Sequence, residues 1–507
     1  MTEVLDSPSR RDDHAEPLPP FAFGGVGAVA ALAAAALLVS IGRYGFLGDE
    51  LYFVAAGRRL AAGYADQGPL LPALARTADL LAPGSLVALR LPAVLVTVAA
   101  VVLTAQIARE FGGGRAAQVL AAAAYATSPF LLVQGDQLAT NTIDTALWVV
   151  VSWLVIRWVR TRRDGLLLAA ALVTAVDMQV KWLIPFFWIA LAIGVAIYGP
   201  RELLRRPALW WGAAIVVLTS APSLVWQAAH GWPQLRLGGV VAAEQATIGG
   251  RYIWLPLALA AAGVLGGLLL VYGVWALFRA ESLRPYRFLG PMPLVLVVVF
   301  IATAGRPYYA AGCYGVLIAV GAVRWTQSRR RSRLIVTAVV AAISVALVVV
   351  SLPLRAESDI EPVETQAEAG LEIALYGRFG WSELAAGTAA AYAALPEPER
   401  ASAVVIADSY WQASALDLAR ASYGLPAVFS PNRGFGYIGT PPDTATTVLW
   451  VGGTEADVRA HCAEVTATGR VDARLGYPGV TRGVTVWRCA QPLVPWSRAW
   501  PDMLRLN

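Results

Sequence analysis

Apolar stretches of roughly 18 or more residues recur along this chain as far as about residue 353, each long enough to cross a hydrocarbon core about 30 Å thick. Inside lipid a segment has to satisfy its own backbone N–H and C=O groups, so runs of this kind form helices. The sequence predicts about eleven spans, near 21–42, 86–107, 116–133, 139–158, 165–180, 183–198, 209–227, 253–278, 288–304, 308–325 and 333–353. Composition agrees: 15% of residues are charged, against about a quarter in soluble domains. Met1–Pro20 is polar and reads as a disordered cytoplasmic N-terminus, with Phe21–Ile41 expected to be an uncleaved first span.

Loop charges orient the spans. With the N-terminus inside, the inner loops carry Arg109 and Arg115; Arg157, Arg160, Arg162 and Arg163; Arg201, Arg205 and Arg206; Arg279, Arg284 and Arg287; and Arg324, Arg329, Arg330, Arg331 and Arg333. The outer loops near Gly135, Val180 and Thr303 are sparse in arginine. Fusing the two short spans 165–180 and 183–198 would put the Arg201 and Arg324 clusters outside, so the positive-inside rule favours the odd count. The net charge of +6 thus reports topology and not nucleic-acid binding. The predicted fold class is an α-helical polytopic membrane protein with about 11 transmembrane helices over 21–353, plus a small exported C-terminal α/β domain over 354–507. The protein is placed in the cytoplasmic membrane.

The first outer segment, 43–85, is too long for a simple loop. Glu50–Leu60 reads as a helix start, Asp66–Pro72 as a turn and Leu71–Leu81 as an amphipathic stretch, lying along the interface. Beyond residue 353 the pattern alternates: strands at 403–407, 427–430, 447–451 and 484–489, with helices at 409–423 and 455–462. Cys313 sits in an apolar run. Cys462 and Cys489 share the C-terminal domain, where export permits a disulfide.

The densest polar group is Gly48-Asp49-Glu50-Leu51-Tyr52, followed by Arg58-Arg59 and by Tyr64-Ala65-Asp66-Gln67. A carboxylate suits removal of a proton from an acceptor, and arginines and tyrosines suit a lipid phosphate. The plainer alternative has Asp49 capping a helix and the aromatics anchoring the interface. Lys181, the only lysine, interrupts an apolar stretch; a buried functional ammonium and a snorkelling side chain both fit. Further candidates are Asp136 and Asp144, Arg306 and Tyr308 in Gly305-Arg306-Pro307-Tyr308-Tyr309, and the lone His230. No Walker motif, CxxC or HExxH occurs, and no Gly-rich dinucleotide fingerprint stands in its strand-to-helix context.

Several segments in this order resemble the glycosyltransferase 39 family of the GT-C superfamily, which holds protein O-mannosyltransferases and the aminoarabinose transferases of lipid A. The nearest likeness is to the bacterial dolichyl-phosphate-mannose-protein mannosyltransferase-like members. The segments are GDELYFVAAGRRLAAGYADQGPL at 48–70, TNTIDTALW at 140–148, VKWLIP at 180–185, GPRELLRRPALWWGA at 199–213, PSLVWQAAHGWPQL at 222–235, GRPYYAAGCYGVLIAVGAV at 305–323 and DSYWQASALDLARASYGLPAVFS at 408–430. The resemblance implies a GT-C fold, an outward-facing site, a polyprenyl-phosphate sugar donor and an inverting transfer to a cell-envelope acceptor. It implies Asp49 as the catalytic carboxylate, with Glu50 and Asp144 as further catalytic candidates and Lys181 as the membrane-embedded lysine. Arg58, Arg59, Tyr64, Asp66, Asp136, His230, Arg306 and Tyr308 are the remaining candidates for donor phosphate or substrate. The family's usual Pro-Pro pair is Gly68-Pro69 here, its lysine before Pro-Tyr-Tyr is Arg306, and a histidine often found near Asp136 is absent. Relatives differ in their need for a divalent metal, so the cofactor is left open. The rival class is a transporter or flippase of a lipid-linked sugar, which would carry charges at mid-membrane on repeated helices; the acids here cluster in outer loops.

Overall fold

The computed structural model describes residues 17–327 and 331–507. Most of the expected disordered segment 1–20, together with Arg329 and Arg330, lies outside the described residues.

The bundle begins with α1 (Phe23–Ser40), followed by two helices of the first long loop, α2 (Gly48–Gly57) and α3 (Leu70–Leu81). Then come α4 (Leu86–Glu110), α5 (Arg115–Ala126), α6 (Pro129–Val133), α7 (Thr140–Thr161), α8 (Gly165–Met178) and α9 (Ile184–Tyr198). It continues with α10 (Pro207–Ala229), α11 (Pro233–Thr247), α12 (Gly250–Arg279), α13 (Pro291–Ala302), α14 (Tyr314–Thr326) and α15 (Arg331–Ser351). Among the described residues seven helical segments are long and apolar enough to cross a membrane, or eight if the α5–α6 pair, bent by 71°, counts as one.

Eleven spans were expected, and the other three fall on shorter helices: α8 with 14 residues, α9 with 15, and α14 with 13 behind a 3-10 segment, Pro307–Cys313. They still run between the two ends of the bundle. Asp164, ahead of α8, accepts from Trp158 Nε1 at 3.0 Å near the end of α7. Lys181, just after α8, reaches Asn141 at the other end of α7 at 2.7 Å. From there α9 returns, and its last ring, Tyr198, meets Phe278 near the end of α12.

Lipid is the solvent that explains the surface. In α15 only Ser344 and Val348 are buried, while Leu334, Val339 and Val350 stand exposed. By contrast α7 is central, with Trp148 and Trp158 fully buried. Close helix contact is made by missing side chains: a Cβ on Gly273 would lie 2.1 Å from Leu317 O, and one on Gly321 2.0 Å from Leu269 O, so α12 and α14 touch backbone to backbone. The end of the bundle away from the first loop gathers the arginines. There Arg160 pairs with Glu110 at 2.7 Å, Arg162 with Glu202 and Arg206 with Asp164.

The C-terminal domain caps the opposite end. It contains α16 (Gln366–Leu371), α17 (Ile373–Tyr376), α18 (Trp381–Ala393), α19 (Glu397–Ser402), β1 (Val404–Ala407), α20 (Tyr410–Tyr423), β2 (Val428–Phe429) and β3 (Thr447–Val451). The last elements are α21 (Glu455–Arg459), β4 (Cys462–Val471), β5 (Val484–Pro492) and α22 (Trp496–Met503). The sheet order is β2-β1-β3-β5-β4; β1 is parallel to β2 and β3, and β5 is antiparallel to β3 and β4. Val405, Leu449 and Val451 pack under α18 and α20, and Ile406, Val448 and Trp450 pack with Trp496 and Trp500 of α22. Both faces being covered, β1 and β3 read as continuous apolar runs. Cys462 and Cys489 are joined, their Cα atoms 5.6 Å apart, across the β4–β5 pair.

Candidate active site

The site starts at the first turn of α2. Its N-cap, Leu47, has no polar side chain, so Glu50 turns back and accepts from Leu47 N–H at 2.9 Å. Glu50 also accepts from Arg90 Nε (2.9 Å) and Nη2 (2.8 Å) and from Leu138 N–H (2.9 Å). Both partners of this ion pair are 0% exposed. Its four accepted hydrogen bonds join α2, α4 and the loop before α7, a structural use of Glu50 beside the catalytic one that the resemblance implies. Arg90, which also donates to Ile41 O and Gly45 O at 2.8 Å each, was missed, though a lone arginine early in the apolar run LVALRLPAV was its signal.

Asp49 leaves the same turn in another direction. Its Oδ1 accepts from Tyr410 Oη at 2.6 Å and from Trp411 Nε1 at 2.8 Å, both at the start of α20. Its Oδ2 has no hydrogen-bond partner among the described residues, and the side chain is half-buried. Contact with α20 is close because residue 48 is glycine: a Cβ there would lie 2.0 Å from the Trp411 ring. The helix expected to lie on the interface is therefore buried beneath the C-terminal domain, with nine of its ten residues buried.

One turn later Tyr52 donates to Asp66 Oδ1 at 2.9 Å and sets its ring edge against Tyr410, 5.3 Å between centroids. Burial pushes the Asp66 carboxyl up to about 6, with the Asp49 charge adding and the Arg433 guanidinium opposing. The loop then docks on the turn after α8: Gly68 N–H donates to Val180 O at 3.2 Å and Leu70 N–H to Gln179 O at 3.0 Å. Only glycine fits at 68, where a Cβ would lie 2.1 Å from Gln179 O. This docking brings Asp66 and the buried Gln67 beside the chain that carries Lys181.

Lys181 Nζ donates to Asn141 Oδ1 at 2.7 Å and lies over the Tyr309 ring at 4.5 Å and the Tyr308 ring at 5.7 Å. Asp144, which accepts from Trp148 Nε1 at 3.2 Å, is an electrostatic neighbour of Lys181, and so is the fully buried Asp177. Asp177 was not anticipated, since it sits late in an apolar helix with no motif around it. From Tyr309 a line of polar groups leads back to Asp49. Arg306, beside Tyr309, pairs with Glu244 of α11; Glu244 also accepts from Arg433 at 2.5 Å; and Arg433 lies over the Tyr410 ring at 5.1 Å. Glu244, Arg433, Tyr410 and Trp411 also escaped residue-by-residue reading, although Tyr410 and Trp411 stand in the segment 408–430.

Other candidates are placed elsewhere. Arg58 pairs with Asp79 at 3.0 Å, and Arg59 with Asp417 of α20 at 2.7 and 3.0 Å. One guanidinium holds α3 and the other the C-terminal domain, while both side chains stay partly exposed. Tyr64 is buried, its hydroxyl donating to Ala56 O at 3.2 Å and accepting from Ala61 N–H at 3.1 Å. Asp136 is buried against Arg378 at 2.7 Å, a second tie between bundle and C-terminal domain. His230 is exposed, stacked on Trp226 at 4.0 Å and facing Tyr437 at 5.7 Å. Tyr308 stacks on Phe130 at 5.0 Å. Among the described residues no three His, Cys, Asp or Glu side chains gather as a metal-binding set.

These features define a multi-pass membrane protein whose polar site lies between one end of a helical bundle and a small α/β domain that roofs it. Residues 66–226 match the model of the dolichyl-phosphate-mannose-protein mannosyltransferase family. No curated protein matches the sequence. Two structures of ArnT from Cupriavidus metallidurans share the fold, one bound to undecaprenyl phosphate (16% identity, TM-score 0.61) and one apo (15%, 0.62), each over 92% of this chain and 98% of ArnT. The oligosaccharyltransferase AglB from Archaeoglobus fulgidus, in complex with an inhibitory peptide and a dolichol-phosphate, is similar at 12% identity and TM-score 0.50, over 78% of this chain and 63% of AglB. The chain thus shares its fold with ArnT, and its segment 66–226 matches the mannosyltransferase family's model.

Proposed function

We propose that the protein is an inverting glycosyltransferase that moves a monosaccharide from a polyprenyl-phosphate donor to a cell-envelope acceptor at the outer face of the cytoplasmic membrane. The observation that carries this reading is Asp49: a carboxylate with one oxygen held by two donors and the other open, joined through Tyr410, Arg433, Glu244 and Arg306 to the Tyr309 ring beneath Lys181. Asp49 Oδ2 takes the proton of the acceptor hydroxyl. The acceptor oxygen bonds to the anomeric carbon on the face opposite the phosphate, and the bond from that carbon to the phosphate oxygen breaks. Polyprenyl phosphate leaves with the electron pair, and Lys181 and Arg306 receive its charge.

The placement of Lys181 supports a lipid-linked donor. A 14-residue helix rises only about 21 Å, short of a hydrocarbon core of about 30 Å, so the turn after α8 lies within reach of a phosphate at the lipid boundary. The loop arginines at the far end support a site on the outer face and a cytoplasmic N-terminus.

The test follows label from polyprenyl-phosphate sugars into envelope fractions, with donor binding measured alongside. Asp49→Asn keeps size and shape and removes the base, so transfer falls by about 10²–10⁴-fold while donor binding holds. Lys181→Met weakens donor binding first. Transfer at the wild-type rate by a well-folded Asp49→Asn protein would refute the assignment. Label that crosses the bilayer without leaving its lipid would make the protein a transporter.

A further inference from the structure

The sequence left open whether Asp49 merely caps α2. Among the described residues its carboxylate accepts from no backbone N–H; the cap position belongs to Leu47, and Glu50 supplies the return bond. Both hydrogen bonds to Asp49 come instead from side chains of α20, more than 360 residues away, and both fall on the same oxygen. A carboxylate turns easily about its last torsion, which has only broad wells. Two donors from one helix end remove that freedom.

The donors are themselves held. Tyr410 N–H donates to Asn432 Oδ1 at 3.0 Å, and Trp411 N–H to Ser409 Oγ at 3.2 Å. The Tyr410 ring lies between the edge of Tyr52 and the guanidinium of Arg433. Arg433 takes up a left-handed backbone (φ 47°), a strained conformation for a non-glycine residue that recurs at sites where a side chain must be aimed. Trp411 is fixed by Gly48 on one side and by the rings of Trp381 and Tyr477 on others. Adhesion between the two parts of the protein does not require these bonds, because Arg59–Asp417 and Arg378–Asp136 already join them.

We propose that Tyr410 and Trp411 are positioning residues for the transfer: they clamp Oδ1 of Asp49 and so aim Oδ2 at the acceptor hydroxyl, making the C-terminal domain part of the catalytic centre. This rests on Asp49 being the base. It assigns the α/β domain a role beyond covering the site, since chemistry then depends on how that domain is seated.

The experiment uses the full-length protein in lipid nanodiscs, with Tyr410→Phe, Trp411→Phe and the double variant compared for kcat, donor KM and thermal unfolding. Each single change is expected to lower kcat by about 10–100-fold, the worth of a hydrogen bond to a charged group, with donor KM within about twofold. Tyr410→Phe removes one oxygen atom and keeps every ring contact, so it stays readable even where Trp411→Phe lowers the folded yield. In an Asp49→Asn background, Tyr410→Phe should add no further loss, because the clamp then has no base to aim. Unchanged kcat in folded Tyr410→Phe, a rise in KM at constant kcat, or an equal extra loss in the Asp49→Asn background overturns the positioning role. An inactive Asp49→Asn beside fully active clamp variants would sink the clamp and leave the transferase; an active Asp49→Asn would sink the transferase itself.

Discussion

Glu50→Gln is the sharpest perturbation of the scaffold, because it changes one atom of a side chain whose four partners are all donors. Oε1 accepts from Arg90 Nε and Leu138 N–H, and Oε2 from Arg90 Nη2 and Leu47 N–H. Glutamine must place an NH₂ where one of these oxygens stood. Whichever way the amide turns, two donors then face a donor, and Arg90 stays buried at 0% exposure without its counter-charge. Removing one member of a buried pair costs about 3–5 kcal/mol, a large share of the roughly 5–15 kcal/mol by which folded domains are stable. The assay is denaturant unfolding in detergent micelles, followed by tryptophan fluorescence. Arg90→Met should fall in the same range, and the double variant should cost less than the sum of the two. Asp49→Asn, one position earlier, should unfold like the wild type. A Glu50→Gln protein with a wild-type midpoint and no transfer activity would refute this reasoning and return Glu50 to the chemistry.

Gly48→Ala should act through Trp411: the new Cβ, 2.0 Å from that ring, pushes α20 off α2 and lowers kcat like the clamp variants, which steady-state kinetics will show. Asp66 sets a pH effect. Its carboxyl stands at about 6 in the folded protein against 3.8 ordinarily, so folding binds its proton more tightly; that stabilisation is complete below about pH 3.8 and fades as pH rises through about 6. Unfolding midpoints at about pH 4.5 and pH 7 should therefore differ less in Asp66→Asn than in the wild type, and an unchanged difference would show that burial of Asp66 is not the cause.

Local chemistry was legible and long-range partnership was not. The apolar runs all landed on helices, because lipid leaves the backbone no other choice. Their lengths were less clear, since hydropathy does not mark where Pro307–Cys313 tightens to a 3-10 turn or where α5 bends before Pro129. In the C-terminal domain the buried strands β1 and β3 announced themselves, whereas β4 did not. It is an edge strand with one neighbour, and its CAEVTATGRV carries too many polar residues to read as a strand. The Asp-Glu pair could be located but not divided. Nothing between residues 48 and 70 reveals that Glu50 belongs to Arg90 and Asp49 to α20. Arg58 and Arg59 looked available for phosphate because their acids, Asp79 and Asp417, are 21 and 358 positions away. Lys181 was conspicuous as a charge in apolar surroundings, whereas Asp144 by its own pattern was a weaker candidate.

The two carboxylates at the head of α2 also differ in when they can be satisfied. Glu50 meets Arg90 after 40 further residues, while Asp49 waits 361 for Tyr410. At synthesis rates of about 5–20 residues per second, the first interval is about 2–8 s and the second about 20–70 s. The scaffold around α2 can thus lock while the ribosome is still making the early spans. The hydrogen bonds that aim its acid arrive only after the last span has been made and the α/β domain has folded against the bundle. A chain halted between residues 138 and 410 would hold Glu50 with all four of its donors and Asp49 with neither of its own, so the order of translation separates the building of the scaffold from the aiming of the acid.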